Sequence, residues 1–296
     1  KPGWVFMKPV KPSPWQGKLA LITGASSGIG AATAHELARH GLKVVLVARR
    51  RERLEEVALN IKQAGGQAEI IPADLTLEAD RQRVFDEVAQ KHGSADVLVN
   101  NAGLGWYGYF TDMTWQTARE ILQVNIAATV QFTMLFLNRM RDRNCGHIIN
   151  VGSISGGLPS QGIAIYGATK SFLDNFTTAL YRELSGTRLR VSVVRAGPVR
   201  TEFCETAAIR QGGMNLPTEN TGVSAEVVAQ RIWGLLRWPR RVIYVPAWLA
   251  VTPLVENYFG WLIDRLGPLL LKRQKNARAS TTYPGGNRST KVHAGK

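Results

Sequence analysis

An apolar run that turns abruptly into a glycine-rich stretch, LITGASSGIG at residues 21–30, constrains the fold of this chain more than any other feature. The apolar residues predict a buried strand at 19–23, and the glycines let the backbone turn at once into a helix predicted at 29–41. A helix that begins at such a turn presents free N–H groups and the positive end of its dipole. The layout therefore predicts a cradle for the pyrophosphate of a dinucleotide.

Strands and helices alternate along most of the chain after this turn. Further strands are predicted at 43–48, 68–71, 96–99, 147–151, 189–194 and 242–245. Helices are predicted at 51–64, 78–91, 115–141, 164–184 and 225–236. This alternation predicts an α/β fold, a Rossmann-type doubly wound parallel sheet of about seven strands with helices on both faces. The stretch at 197–222 has weak periodicity and predicts a lid or binding loop.

The composition excludes several classes of protein. Two cysteines among 296 residues cannot form a disulfide framework, and five scattered histidines lack the spacing of ligands, so we expect no metal site. Residues 1–18 hold four basic and no acidic side chains and residues 265–296 eight and none, so most of the net charge of +15 lies at the ends. Such basic ends fit a nucleic-acid partner, an anionic-lipid partner or simple solvation. Because the pattern contains no nucleic-acid module, we expect no nucleic-acid partner.

The three glycines of the turn, Gly24, Gly28 and Gly30, are spaced differently from the usual G-x-G-x-x-G run. They match T-G-x-x-x-G-x-G, and over about residues 18–245 the chain resembles the short-chain dehydrogenase/reductase family. The resemblance implies a nicotinamide cofactor in the crevice of the sheet. The cofactor-binding residues that it implies are Gly24, Ser26, Ser27, Gly28, Ile29, Gly30, Asp74, Leu75, Asn101, Ala102, Gly103, Tyr166, Lys170, Val199 and Thr201.

The residues after the second predicted strand indicate which nicotinamide cofactor binds. Arg49, Arg50 and Arg51 follow that strand, and no acidic residue precedes Glu52. Arginine accepts a ribose 2′-phosphate, whereas an acidic residue would bond the 2′-hydroxyl. Arg49, together with Ser26, is therefore predicted to hold the phosphate, which favours NADP(H) over NAD(H).

Tyr166 and Lys170 lie four residues apart, and so on one face of the helix predicted at 164–184. Reduction of a carbonyl needs a proton donor, and a nearby ammonium lowers the pKa of a phenol by roughly 1–3 units. We therefore predict Tyr166 as the general acid/base and Lys170 as the group that tunes its pKa. The resemblance adds Ser153, which would bond the substrate oxygen, and Asn125, which would hold a water in a proton relay.

The chain departs from the family pattern after the sixth predicted strand. The family reads P-G-x-V-x-T there, whereas this chain reads AGPVRT at 196–201. Loss of the proline ring predicts a looser turn. Val199 and Thr201, which the resemblance places at the nicotinamide carboxamide, are retained.

Residues 242–271 are nearly all apolar and exceed what a bare family domain needs. Charged residues and the prolines at 246, 253 and 268 interrupt the run, which predicts two short helices at 248–264 and 267–275 and no bilayer span. The segment fits a lid, a contact with a partner subunit, or an interfacial anchor whose basic flank faces anionic lipid. Membrane-associated hydroxysteroid dehydrogenases and ketosphinganine reductases are similar in this respect.

These observations divide the chain into four parts. They are an N-terminal arm at 1–17, a dinucleotide-binding catalytic domain at 18–245, an apolar lid or membrane-interface segment at 246–276, and a tail at 277–296 that we expect to be disordered. The apolar residues predicted to line the substrate pocket, or else the core, are Leu104, Trp106, Tyr107, Tyr109, Phe110, Leu158 and Ile163.

The resemblance implies NADPH-dependent reduction of a ketone or aldehyde, or the reverse alcohol oxidation, on an apolar lipid- or steroid-like substrate. It also implies a homodimer or homotetramer and a cytoplasmic location, peripheral at a membrane where 246–276 is an anchor. The alternative is a catalytically silent NADP(H)-binding scaffold at a membrane surface.

Overall fold

A seven-stranded parallel sheet organises the computed structural model, which describes residues 14–214 and 222–270. The strands are β1 (Leu19–Thr23), β2 (Lys43–Ala48), β3 (Gln67–Pro72), β4 (Val97–Asn100), β5 (Gly146–Ser153), β6 (Leu189–Ala196) and β7 (Val242–Val245). They lie in the order β3-β2-β1-β4-β5-β6-β7, and every neighbouring pair is parallel. The predicted Rossmann-type fold is confirmed.

Helices cover both faces of this sheet. They are α1 (Gly28–Arg39), α2 (Arg51–Gln63), α3 (Glu78–His92), α4 (Trp115–Leu122), α5 (Ala128–Asp142), α6 (Ala164–Glu183), α7 (Phe203–Ile209), α8 (Ala225–Arg237) and α9 (Thr252–Leu270). Buried side chains of α1, α2 and α8 form the core on one face. Those of α3, α5 and α6 form the core on the other.

Strand β1 shows why the strands are so uniformly apolar. Leu19 and Leu21 point into one core, whereas Ala20 and Ile22 point into the other, and none of the four is more than 6% exposed. Because successive side chains of a strand alternate between faces, a sheet with helices on both sides needs apolar residues at every position. The β-branched run of β2 follows from the same requirement.

Several stretches inside the domain differ from the prediction. The predicted loop at 197–222 contains α7, and its residues 215–221 lie outside the described part. The helix predicted at 115–141 is present as α4 and α5, but a π-helical turn, Gln123–Ala127, joins them. Strand β5 also continues to Ser153, beyond the predicted end at 151.

The break predicted between two helices, at 264–267 in the C-terminal segment, is wrong, and residues 271–275 of the second helix lie outside the described residues. A 3₁₀ turn, Ala247–Val251, leads into the single helix α9, which reaches Leu270, the last described residue. Pro253 lies in the first turn of α9, where its missing N–H has no intrahelical partner to lose, so the helix starts normally. The helix continues past position 268 to Leu270. The tail at 277–296 and most of the N-terminal arm, 1–13, lie outside the described residues.

By length and composition alone, one helical stretch among the described residues, Trp115–Asp142 with a hydropathy of 1.4, could cross a membrane. Packing within the domain accounts for its apolar face. Phe132 and Phe136 are fully buried against the sheet, and Met140 is 1% exposed.

Candidate active site

The carboxyl ends of the strands open onto a cleft of about 500 Å³, at the point where the strand order reverses between β1 and β4. Ligands of doubly wound sheets bind at such a crevice. The predicted site residues that line it are Gly24, Ser26, Ser27, Gly28, Ile29, Arg49, Asp74, Leu75, Asn101, Ala102, Gly103, Ser153, Tyr166, Lys170, Val199 and Thr201. Of the predicted set, Gly30 and Asn125 are not among the residues that line the cleft as described.

Geometry requires all three glycines of the turn, since Gly24 has a φ of +65° and a Cβ there would lie 2.8 Å from the Cα of Ala102. Gly28 has a φ of +54°, in the left-handed region that favours glycine. A Cβ on Gly30 would lie only 2.3 Å from the carbonyl oxygen of Gly24. Gly30 therefore serves the site by letting α1 pack tightly against the turn.

Asn101 ties the turn to the end of β4. Its Nδ2 donates to the carbonyl oxygens of Thr23, at 2.9 Å, and Gly24, at 3.2 Å. In return the Thr23 hydroxyl accepts the N–H groups of Asn101 and Ala102, each at 3.0 Å. These bonds fix the backbone that forms one wall of the cleft.

The start of α1 fits the phosphates of a dinucleotide. Within residues 14–214, Ser27 occupies the N-cap position without capping the helix through its side chain. The first-turn N–H groups therefore remain free for a ligand that enters the cleft from this side. Small residues at 24–30 and 101–103 let a ligand approach the backbone closely.

Arg49, which was predicted to hold a 2′-phosphate, lines the cleft, and its neighbour Arg50 lines it too. The Arg50 Nη2 donates to the hydroxyls of Ser26, at 3.2 Å, and Ser27, at 2.8 Å. Its Nη1 donates to the carboxylate of Glu202 at 2.9 Å. That hydrogen bond holds the pKa of Glu202 below its usual value.

Asp74 and Leu75 bring the end of β3 to the cleft. Asp74 Oδ1 accepts the N–H and the hydroxyl of Thr76, at 2.9 and 2.8 Å. The Leu75 carbonyl accepts from Arg81 Nη1 at 2.7 Å. These bonds fix the loop, and the adenine contact of the two residues stays a prediction.

Tyr166 and Ser153 meet deep in the cleft. Ser153, the last residue of β5, is 8% exposed and hydrogen-bonds Tyr166. Its Oγ also accepts the N–H of Ser155 at 3.1 Å. Burial raises the pKa of Tyr166 to about 12 and outweighs the opposite effect of the Ser153 hydrogen bond. The predicted lowering of the Tyr166 pKa is therefore wrong, because burial disfavours the charged phenolate more than the neighbouring groups favour it.

Lys170 lies beside this phenol. Its Nζ is 5.6 Å from the centroid of the Tyr166 ring and donates to the carbonyl oxygen of Val151 at 2.8 Å. Burial lowers the pKa of Lys170 to about 8, and the charge of Asp174, one helical turn further on, acts in the opposite direction. The side chain is therefore largely charged at neutral pH.

Asn125 lies in the π-helical turn between α4 and α5, a feature common at functional sites. Its Oδ1 accepts the N–H of Leu104 at 2.8 Å, and its Nδ2 donates to the Leu104 carbonyl and the Thr169 hydroxyl, both at 3.0 Å. The side chain thus joins the segment after β4 to α6. Its role in holding a water stays a prediction.

A buried ion pair behind the active site escaped the sequence analysis. The Asp174 carboxylate lies 3.0 Å from Arg195 Nε, and Arg195 hydrogen-bonds the hydroxyl of Tyr244. Asp174 follows Lys170 by one helical turn, a spacing that could have drawn attention to it. No local pattern relates either residue to Arg195, which lies on β6.

The predicted pocket residues divide between the cleft and other places. Leu104, Trp106 and Ile163 line the cleft. Tyr107 is buried, and Phe110 is 61% exposed. The cleft lining as described does not include Tyr107, Tyr109, Phe110 or Leu158.

Phe203, which the sequence analysis did not single out, also lines the cleft. Its ring centroid lies 5.4 Å from that of Tyr166. It is the first residue of α7, inside the stretch predicted as a loop. The missing helix prediction explains why it was overlooked.

The geometry agrees with the family comparison. Residues 18–211 match the family model described as short chain dehydrogenase. The chain belongs to the short-chain dehydrogenase family. Among its relatives, farnesol dehydrogenase of Aedes aegypti is 36% identical over 218 residues, which are 70% of this chain and 87% of that protein.

Solved structures of family members superpose on the whole domain. A short-chain dehydrogenase from Sphingobium yanoikuyae in complex with NADPH is 30% identical, with a TM-score of 0.72 over 88% of this chain and 99% of that one. A short-chain dehydrogenase/reductase from Burkholderia phymatum in complex with NAD is 25% identical, with a TM-score of 0.76 over 84% and 96%. The protein is an oxidoreductase of this family, and the comparisons do not favour a silent scaffold.

Proposed function

We propose that the protein reduces an apolar ketone or aldehyde with NADPH, or carries out the reverse alcohol oxidation. One observation carries the proposal: the phenol of Tyr166 hydrogen-bonds Ser153 and lies beside the Lys170 ammonium, inside a cleft that the glycine-rich turn also lines. A proton donor is thus placed next to a dinucleotide cradle.

The residues of the cleft fit a nicotinamide cofactor. The turn at 24–30 and the first turn of α1 would hold its pyrophosphate, Asp74 and Leu75 its adenine, and Val199 and Thr201 its carboxamide. Arg49 and Arg50, with Ser26 and Ser27, would hold a 2′-phosphate, which supports NADP(H). When bound, the cofactor supplies the hydride that reduces the carbonyl carbon.

Tyr166 supplies the proton for the carbonyl oxygen in this proposal. With a pKa of about 12, the phenol is protonated at neutral pH, which is the form that reduction requires. Ser153 donates a hydrogen bond to the same oxygen and stabilises the charge that develops on it. Lys170 stabilises the phenolate that remains after proton transfer and would also bond the nicotinamide ribose. Asn125 would hold a water that returns a proton to the site.

The substrate side of the cleft supports an apolar, lipid- or steroid-like substrate. Leu104, Trp106, Ile163 and Phe203 line it, and the Trp106 indole N–H is engaged by the carbonyl oxygen of Gln211 at 3.2 Å. These walls present hydrocarbon to a ligand, which favours apolar groups around the reacting carbonyl.

We also propose that the segment at 246–276 makes a peripheral membrane contact. The apolar side chains that α9 exposes are Leu254, Tyr258, Phe259, Trp261, Leu262 and Leu266, and Trp248 just before it is 69% exposed. Basic residues follow in the sequence at 272, 273, 275 and 278. Aromatic residues next to a basic cluster suit the interface of an anionic bilayer.

We also propose that the protein forms a homodimer or homotetramer. Three exposed apolar side chains, Trp115 on α4, Met134 on α5 and Tyr181 on α6, support it. Light scattering of the purified protein checks it, because a single monomeric mass over a range of concentrations would contradict it.

The test is NADPH oxidation against a panel of steroid, sphingoid and acyl ketones, with and without anionic liposomes. We expect turnover of one substrate class, with stimulation by liposomes. Tight NADPH binding without turnover of any ketone or aldehyde would contradict the proposed reaction. Turnover that liposomes leave unchanged would contradict the membrane contact only.

A further inference from the structure

A carboxylate occupies the place where the proposed function puts a phosphate. Glu202 comes from the segment between β6 and α7, 152 residues beyond Arg50. It nevertheless accepts a hydrogen bond from Arg50 Nη1 at 2.9 Å, while Nη2 of the same guanidinium bonds Ser26 and Ser27. Glu202 also hydrogen-bonds Ser27 directly. The donors expected to bind a 2′-phosphate therefore already bind an anion of the chain.

We infer that Glu202 determines the balance between NADPH and NADH, because its carboxylate competes with the 2′-phosphate for Arg50 and Ser27. This inference rests on the proposed function, which places the 2′-phosphate at these residues. The residues that follow β2 could not have predicted this role, because Glu202 lies between β6 and α7.

The charge of Glu202 makes the competition effective. Its hydrogen bond with Arg50 keeps its pKa below the usual value, so the group is anionic throughout the neutral range. A phosphate that enters the same set of donors either displaces this carboxylate or lies beside it, and both cost free energy. The side chains of Arg50 and Glu202 are 48% and 41% exposed, so solvent screens the repulsion and we expect a moderate effect.

The same carboxylate suits NADH. In dinucleotide-binding folds, an acidic residue after the second strand accepts the hydrogen bond of the ribose 2′-hydroxyl. This chain has Arg49 there, and Glu202 brings a carboxylate to the same group of donors from the other side of the cleft. Removal of its charge should thus weaken NADH slightly or leave it unchanged while NADPH binds more tightly.

The experiment measures the dissociation constants of NADPH and NADH by calorimetry, with the full chain as wild type and as Glu202→Gln. We expect the NADPH-to-NADH affinity ratio to rise three- to tenfold in the variant, mainly through tighter NADPH binding. The gain should shrink at high salt, because the competing charges are partly exposed.

Glu205→Gln provides the matched control. Glu205 lies on α7, three residues beyond Glu202, is exposed, and undergoes the same change of charge on substitution. We expect it to change the ratio less than twofold. Arg50→Ala completes the test: it should weaken NADPH binding, and in its presence Glu202→Gln should change the ratio less than twofold.

The outcomes separate the inference from the proposed function. A wild type that binds NADPH more tightly than NADH, with a ratio that Glu202→Gln leaves unchanged or lowers, would overturn the inference alone. An equal gain for both cofactors would also overturn it, because the competition would not involve the 2′-phosphate. A wild type that prefers NADH or binds neither cofactor would overturn the proposed NADPH dependence and, with it, the inference.

Discussion

The two halves of the cleft are built from different interactions. The nucleotide half, residues 23–30 and 101–103, is held by backbone carbonyls and N–H groups that Asn101 and Thr23 bind. The catalytic half, residues 153–174, relies on buried ionisable side chains whose pKa values burial displaces. Substitutions in the nucleotide half should therefore damage cofactor binding and stability together. Substitutions in the catalytic half should damage the chemistry more than cofactor binding.

Tyr166→Phe should show the largest effect and separate the two halves most clearly. Without its proton donor, kcat should fall by about 10²- to 10⁴-fold. NADPH affinity should stay within twofold, because the nucleotide half is unchanged. Stopped-flow kinetics and calorimetry measure the two quantities. Tyr181→Phe makes the same chemical change at an exposed position of α6 and should leave both unaltered. Retained turnover in Tyr166→Phe would show that another group donates the proton.

Gly30→Ala tests the nucleotide half. The added Cβ would lie 2.3 Å from the Gly24 carbonyl oxygen, so the turn or α1 must move. We expect NADPH binding at least tenfold weaker and a free energy of unfolding lower by about 1–3 kcal/mol. Gly234→Ala on α8 is the control, since a Cβ there meets nothing within 4 Å and alanine favours the helix. Normal cofactor affinity in Gly30→Ala would show that the turn accommodates the added methyl group without disturbing the cofactor site.

Asp174→Asn tests the electrostatics of the catalytic half. The pKa of Lys170 is about 8 because burial lowers it more than the charge of Asp174 raises it. Without that charge, Lys170 should lose its proton at a lower pH, so the alkaline decline of kcat/KM should move to lower pH. Loss of the ion pair with Arg195 should also cost about 3 kcal/mol of stability. The measurement is the pH profile of kcat/KM, recorded well below the unfolding temperature of the variant.

Glu183→Gln, at the exposed end of α6, is the control for this shift. It removes a carboxylate from the same helix without touching the buried pair. An alkaline limb that stays in place in Asp174→Asn would show that Lys170 does not set it. A limb that moves equally in both variants would point to the overall charge of the helix.

The nucleotide half was predictable because its determinants are local. Within about a dozen residues, LITGASSGIG and its flanks contain a strand that is apolar up to Thr23, a glycine turn and the start of a helix. Patterning alone therefore locates them. The parallel sheet follows from the alternation of such units. Asn101 was placed by the resemblance, whereas its bonds to the Thr23 and Gly24 carbonyls needed the coordinates.

The features that could not be predicted depend on residues far apart in the chain. Arg50 meets Glu202 because β2 and β6 end at the same edge of the sheet, although three strands separate them, and Asp174 meets Arg195 because α6 packs against β6. The raised pKa of Tyr166 likewise comes from burial, which the Tyr-x-x-x-Lys spacing does not report. Helix α9 was predicted wrongly for a different reason. The prolines and charged residues were given the weight of helix breakers, so one helix was ended at 264 and another begun at 267, whereas α9 continues through this stretch to Leu270.

The C-terminal helix belongs to neither half, and its substitution should have the smallest effect on catalysis in solution. Replacement of Tyr258, Phe259 and Trp261 by serine removes three exposed aromatic side chains from α9. We expect turnover of a small, water-soluble ketone to stay within twofold, because none of the three lines the cleft as described. Co-sedimentation with anionic vesicles should fall severalfold, since these side chains provide most of the exposed aromatic surface of the helix. Loss of turnover with unchanged vesicle binding would instead assign α9 to the substrate pocket as a lid.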